Sequence, residues 1–67
     1  MMIYEYPQQK ANKDINLSGL QTAIETAITT VKFGLYPARP EFYVATDTDL
    51  TPEQETTLDD IVPPYLI

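Results

Sequence analysis

A helix whose start and end are both encoded in the sequence is the feature that most constrains the fold of this chain. Residues 51–54 read Thr-Pro-Glu-Gln, which places a hydroxyl at the N-cap, proline at the first helical position and the glutamine of a capping box at the third. Leu58, Ile61 and Val62 then supply an apolar face at helical spacing. The helix is expected to end before Pro63-Pro64, because neither proline can continue it.

An earlier segment predicts a second helix. Two starts are compatible with the sequence: a capping box formed by Ser18 and Gln21, or an N-cap at Asn16 or Asp14. Its end is expected in the β-branched run 29–31. Its apolar residues recur at steps of three and four and form one stripe: Leu17, Leu20, Ile24, Ala27, Ile28 and Val31.

Three short segments predict strands. Residues 3–6 favour β structure and are followed by Pro7, while residues 31–36 and 42–46 alternate apolar and polar side chains. The two prolines of residues 37–40 predict a hairpin loop of more than two residues. The order β-α-β-β-α predicts a single α+β domain over residues 1–67, with two helices on one face of a small, mainly antiparallel three-stranded sheet.

The chain has few means of stabilising or activating itself. A single core in a chain of 67 residues rarely supplies more than about 3–5 kcal/mol. The chain has no Cys and no His, which excludes disulfides, thiolate zinc sites and the commonest general base. Ser18 is the only serine and is better used as a cap, and two glycines cannot build a phosphate loop. We therefore expect no enzyme and no cofactor, and association with other protein subunits, in a homo-oligomer or with larger proteins.

The charge of the chain is acidic and uneven. The net charge is −6 at pH 7, and the excess of acids lies in residues 34–67, whose only cation is Arg39. A phosphate backbone and an anionic membrane would both be repelled, so neither is an expected partner. No apolar run could span a bilayer and the first residues lack the regions of a secretion signal, so we expect a cytoplasmic protein.

An acidic surface is predicted from the residues around the C-terminal helix. A calcium loop starting at Asp47 fails, because Pro52 replaces the required glycine and Leu58 the closing glutamate. The last-turn acids oppose the helix dipole, so either a basic surface of another subunit or solvent screening must compensate them. The residues are Asp47, Asp49, Glu53, Glu55, Asp59 and Asp60.

Two apolar features are candidate interfaces. Tyr4 and Tyr6 lie opposite Ile3 on the first strand. If Ile3 points inward, both rings lie on the outer sheet face beside Tyr36 and Tyr43, as an interface or as an ordinary half-buried face. The second feature is the tail Tyr65, Leu66 and Ile67, which we expect to leave the helix stiff and extended behind the two prolines. It either folds back on its own sheet or docks on a partner.

The segment TDLTPEQETTLDDIV, after the strand EFYVAT, resembles the C-terminal part of small proteins of tailed bacteriophages. The match covers residues 49–62. The apolar ending that follows, residues 63–67, departs from the polar tail that is usual in those proteins. The resemblance implies a tail- or capsid-associated virion component, located in the host cytoplasm and then in the virion, that packs against larger subunits. It transfers no functional residues.

The expected function is therefore a small structural protein that assembles through its sheet edge, its Tyr face or its tail. The alternative is an acidic inhibitor or adaptor that covers a basic surface of a host protein through residues 47–60. A small-molecule ligand is not expected, since only the number of aromatic residues would favour one. Salt distinguishes the first two, because a charge-driven complex weakens as ionic strength rises.

Overall fold

The computed structural model describes all 67 residues and has the α+β architecture that the sequence predicts. Its elements are β1 (Met2–Pro7), α1 (Leu17–Ala27), β2 (Phe33–Ala38), β3 (Glu41–Thr46) and α2 (Pro52–Ile61). Two 3₁₀ turns, Asn12–Asp14 and Pro63–Tyr65, precede α1 and follow α2. The β-α-β-β-α order and the antiparallel three-stranded sheet are confirmed. None of the helices is long and apolar enough to cross a bilayer.

The sheet has the order β1-β3-β2, so the last strand in sequence lies between the other two. β2 and β3 form a hairpin whose loop consists of Arg39 and Pro40, and the peptide bond between these two residues is cis. The prediction of a loop longer than two residues is therefore wrong. Pro37 belongs to β2 because this is an edge strand. The Asp47 N–H donates to the Lys32 carbonyl, so these two residues form a hydrogen-bonded pair of the ladder. Hydrogen-bonded and non-hydrogen-bonded pairs alternate along antiparallel strands, so Pro37 and Phe42 form a non-hydrogen-bonded pair. The nitrogen of Pro37 therefore faces the free edge, where no ladder hydrogen bond is lost.

α1 begins at one of the alternatives that its sequence allows. The Asn16 side chain accepts a hydrogen bond from the Gly19 N–H at 3.1 Å and is the N-cap. The Gln21 side chain donates instead to Glu25 one turn further along, so the Ser18 capping box does not form. The helix ends at Ala27, which is exposed rather than part of the apolar stripe, shortly before the β-branched run.

α2 has the start and the end that its sequence predicts. The Gln54 N–H donates to the Thr51 hydroxyl at 3.2 Å, and the Thr51 N–H donates to the Gln54 side-chain oxygen at 2.9 Å. This reciprocal pair is the capping box, with Pro52 at the first helical position. The helix ends at Ile61, and Val62 is the C-cap before the prolines.

One hydrophobic core lies between the sheet and the two helices. It is built from the inner side chains of the sheet, the apolar faces of the helices and residues of the connecting and terminal segments, namely Ile15, Leu50 and Leu66. The fully buried members are Phe42 and Val44 from β3, Leu20 and Ile24 from α1, Leu58 and Val62 at α2, and Leu66. The opposite face of the sheet is thus left without a covering helix.

Candidate functional site

The outer face of the sheet is the candidate site. Side chains alternate along each strand, and those of β3 that do not enter the core point away from the helices. Strand pairing arranges the outer positions in three rows of three, which we call the outer face. The rows are Ile3, Ala45 and Gly34; Glu5, Tyr43 and Tyr36; and Pro7, Glu41 and Ala38.

The outer face holds an open apolar depression of about 500 Å³. Ile3 is 54 % exposed and Tyr36 is 56 % exposed, although both are large apolar side chains that line the same patch. Glu5 has the single charged side chain of the lining, which consists of Met1, Ile3, Glu5, Tyr36, Tyr43 and Ala45. The depression is shallow, so it suits contact with another surface better than enclosure of a small ligand.

Gly34 positions the Tyr36 ring on this face. A Cβ added at Gly34 would lie 2.7 Å from the Tyr36 hydroxyl and 2.9 Å from Cζ, so the ring lies across the strand where the side chain is missing. Gly34 is paired with Ala45 in the regular ladder. Its missing Cβ therefore leaves room for the Tyr36 ring to lie over the strand.

The structure corrects the predicted orientation of Tyr4 and Tyr6. Both point inward and Ile3 points outward: Tyr6 is 8 % exposed and Tyr4 packs against the core, where its hydroxyl accepts from the Leu50 N–H at 3.4 Å. The tyrosines bury more area than Ile3, and each hydroxyl finds a partner. The sequence contained a signal for this orientation, since Glu5 shares the side of Ile3 and a charged residue belongs outside.

The Tyr6 hydroxyl donates a hydrogen bond to Asp59 Oδ1 at 2.8 Å, joining β1 to the last turns of α2. Burial raises the pKa of Tyr6 well above its usual range, and the hydrogen bond and charge of Asp59 raise it further. Asp59 sits near the helix C-terminus, where the dipole disfavours an anion. The Tyr6 hydroxyl of the same chain thus stabilises the Asp59 carboxylate. The sequence had predicted that a basic surface of another subunit or solvent screening would compensate this charge.

The tail is part of the fold, and its predicted extended course is wrong. Leu66 is fully buried, Tyr65 is half-buried and Ile67 is 67 % exposed. The Leu66 carbonyl accepts from the Gln9 and Lys10 N–H groups at 2.8 and 3.0 Å. The prolines start a 3₁₀ turn, which their fixed φ permits, and this turn brings the chain back. Among the three tail residues that were predicted to be interface contacts, only Ile67 has a largely exposed side chain.

The acidic residues run along α2 and the segment before it without converging on one point. Asp47 Oδ1 accepts from the Lys32 N–H at 3.2 Å and so ties the start of β2 to the end of β3. Asp49, Glu53 and Asp60 are exposed, while Glu55 is half-buried. No three His, Cys, Asp or Glu side chains are grouped as metal ligands would be. The acidic surface of residues 47–60 is therefore a band along α2 and the segment before it.

Comparisons of the chain with protein-family models, with curated proteins and with solved structures found no match. Its function is therefore inferred from the chain's own surfaces. The outer face is apolar at its centre and uncovered, and the band of residues 47–60 is acidic and exposed.

Proposed function

We propose that this chain is a small non-enzymatic structural protein that acts by packing its outer face against other protein subunits. The observation that carries the proposal is the cluster of exposed Ile3 and Tyr36 around half-buried Tyr43, on a sheet face that no helix of the chain covers. Aromatic side chains are enriched in interface centres, because they bring large contact area at a low entropy cost. Covering this cluster would remove apolar surface from water.

The small size of the core supports the same role. Its buried cluster has 11 residues in a chain of 67. A core of this size leaves a narrow margin of stability, and a partner that binds only the folded chain increases that margin by mass action. Association would thus serve stability as well as assembly.

The resemblance of residues 49–62 to small proteins of tailed bacteriophages supports a virion as the setting. In that setting the chain is made in the host cytoplasm and joins a tail- or capsid-associated assembly. The matched segment contains the helix start from Thr51 to Gln54, whose role in this fold is structural. We therefore place the residues that contact other subunits on the outer face.

Two exposed isoleucines provide a matched test of this proposal. Ile3 lies on the outer face and Ile67 follows the last 3₁₀ turn. Tagged wild-type chain, Ile3→Ser and Ile67→Ser would each be produced together with the other genes of the same locus, and the assemblies separated by sedimentation. We expect Ile3→Ser to leave the large assembly and Ile67→Ser to remain in it, with unchanged circular dichroism for both. Normal incorporation of Ile3→Ser contradicts the proposal.

A second candidate function is an acidic inhibitor or adaptor that binds a basic surface through residues 47–60. The observation that favours it is the exposure of Asp49, Glu53 and Asp60. Such a complex should weaken steeply as salt rises and should be lost in the double variant Glu53→Gln/Asp60→Asn. A complex held by the outer face should persist in high salt and tolerate that double variant.

A further inference from the structure

The charged strand positions of the outer face are all acidic. Among its nine strand positions the charged residues are Glu5 and Glu41. Lys32 borders the face beyond Gly34, next to Asp47. Glu5 lies in the middle row beside Tyr43, so an occupant that covers the aromatic centre also removes water from this carboxylate. A carboxylate that loses water is costly unless a cation or a donor replaces it.

A second copy of the chain is poorly suited to this face. At their strand positions a pair of identical faces would bring together four carboxylates and no cation, with Lys32 only at the border of each face, and each chain carries a net charge of −6. With the two-fold axis along β3, Glu41 meets Glu41 of the other copy, since an isologous contact pairs each axial residue with itself. With the axis across the strands at the middle row, Glu5 meets Glu5. Charge complementarity therefore favours a different protein as the occupant.

The size of the face sets the size of its occupant. Strands of six residues are about 20 Å long, and three of them about 4.8 Å apart give a footprint on the order of 300 Å². A single helix is about 10 Å wide, and about thirteen residues of it span 20 Å. The face is thus matched to one segment.

We propose that the occupant of the outer face is an amphipathic helical segment of a different protein, whose apolar side chains cover Tyr36 and Tyr43 and whose Lys or Arg pairs with Glu5. This inference rests on the proposed packing function and names its partner class. The aromatic pair supplies the contact area, and Glu5 selects a basic segment over an acidic one.

Two synthetic peptides test the proposal on the purified full chain. Both have about thirteen residues and the same Leu stripe, with Lys at the polar positions of one peptide and Glu at those of the other. Binding is followed by changes in backbone amide resonances. We expect the Lys peptide to shift signals of β1, β2 and β3, and the Glu peptide to leave them unchanged.

Charge variants separate the outer face from general acidity. Glu5→Gln should weaken the Lys peptide about fivefold, the upper range for a partly exposed ion pair. Glu53→Gln makes the same change of charge on α2 and should alter affinity by less than about twofold. Glu5→Lys should reverse the preference toward the Glu peptide. Tyr36→Ser should weaken binding at least about tenfold, as expected at the centre of an interface.

Several results would overturn the inference. Shifts confined to α2, equal losses in Glu5→Gln and Glu53→Gln, or no binding of the Lys peptide each exclude the proposed occupant. Concentration-dependent dimerisation through the outer face, blocked by Ile3→Ser, would show that the occupant is a second copy. In that case the packing function stands and only the partner class is wrong, whereas normal assembly of Ile3→Ser refutes the function itself.

Discussion

Replacement of Leu66 by alanine tests whether the tail belongs to the core. The Leu66 side chain is fully buried, although it follows two prolines and lies next to the exposed Ile67. The substitution removes side-chain carbons but keeps the backbone carbonyl that accepts from the Gln9 and Lys10 N–H groups. Its effect therefore reports packing alone. Deleting residues 66 and 67 would also leave both N–H groups without this acceptor.

The expected loss is large for a chain of this size. Three carbon groups leave the core, and at about 0.8 kcal/mol each their transfer accounts for about 2.4 kcal/mol. The residual cavity brings buried Leu→Ala losses to about 2.7–5 kcal/mol. A single core in a domain this small rarely supplies more than about 3–5 kcal/mol. Leu66→Ala should therefore be largely unfolded at room temperature.

Urea denaturation followed by far-ultraviolet circular dichroism measures this loss. Ile67→Ala is the matched control, since an exposed aliphatic side chain contributes less than about 0.5 kcal/mol. We expect the control to keep the wild-type midpoint and Leu66→Ala to show no folded baseline. A Leu66→Ala chain that unfolds within about 1 kcal/mol of the control would refute the assignment of the tail to the core.

Three further substitutions address the hydrogen bond to α2, its cap and the outer face. Tyr6→Phe should cost about 1 kcal/mol at neutral pH. The raised pKa of Tyr6 means that the folded chain holds the phenol proton more tightly than the unfolded chain does, so the wild type should lose stability above about pH 10. Melting temperature measured against pH should show a smaller loss in Tyr6→Phe. Thr51→Ala should lower stability to urea by about 1 kcal/mol, whereas Thr56→Ala, inside the same helix, should be within about 0.5 kcal/mol; equal losses would contradict the cap. Gly34→Ala should displace the exposed Tyr36 ring with a stability change below about 0.5 kcal/mol while weakening the Lys peptide several-fold, and unchanged affinity would show that the ring position is irrelevant.

The helices were the most predictable elements, because their signals are local. The cap of α2 is satisfied by side chains within four consecutive residues, so no distant contact decides it. The start of α1 had several adequate caps, and Asn16 was selected from among them. The hairpin turn was less predictable, since Pro37 could interrupt a strand or belong to one. Only its place on a free sheet edge makes it compatible with β2.

The candidate site was found in part. The sequence indicated an aromatic outer face with Tyr36 and Tyr43, and the structure places both there. It placed Tyr4 and Tyr6 on the same face on the condition that Ile3 points inward, and this condition is not met, because Ile3 is exposed on the side of Glu5. A shift of one position moves every side chain of a strand to the other face, so one wrong choice misplaced both residues.

The sequence by itself determined the number, order and type of the elements, because helical periodicity, strand alternation and the capping residues act within a few positions of each other. The tertiary structure alone decided which side of β1 faces the helices, that Leu66 returns to the core, and that Asp59 receives the Tyr6 hydroxyl. These features depend on contacts between residues more than fifty positions apart. Such contacts form only when the sheet and both helices are already in place, and no local pattern specifies them.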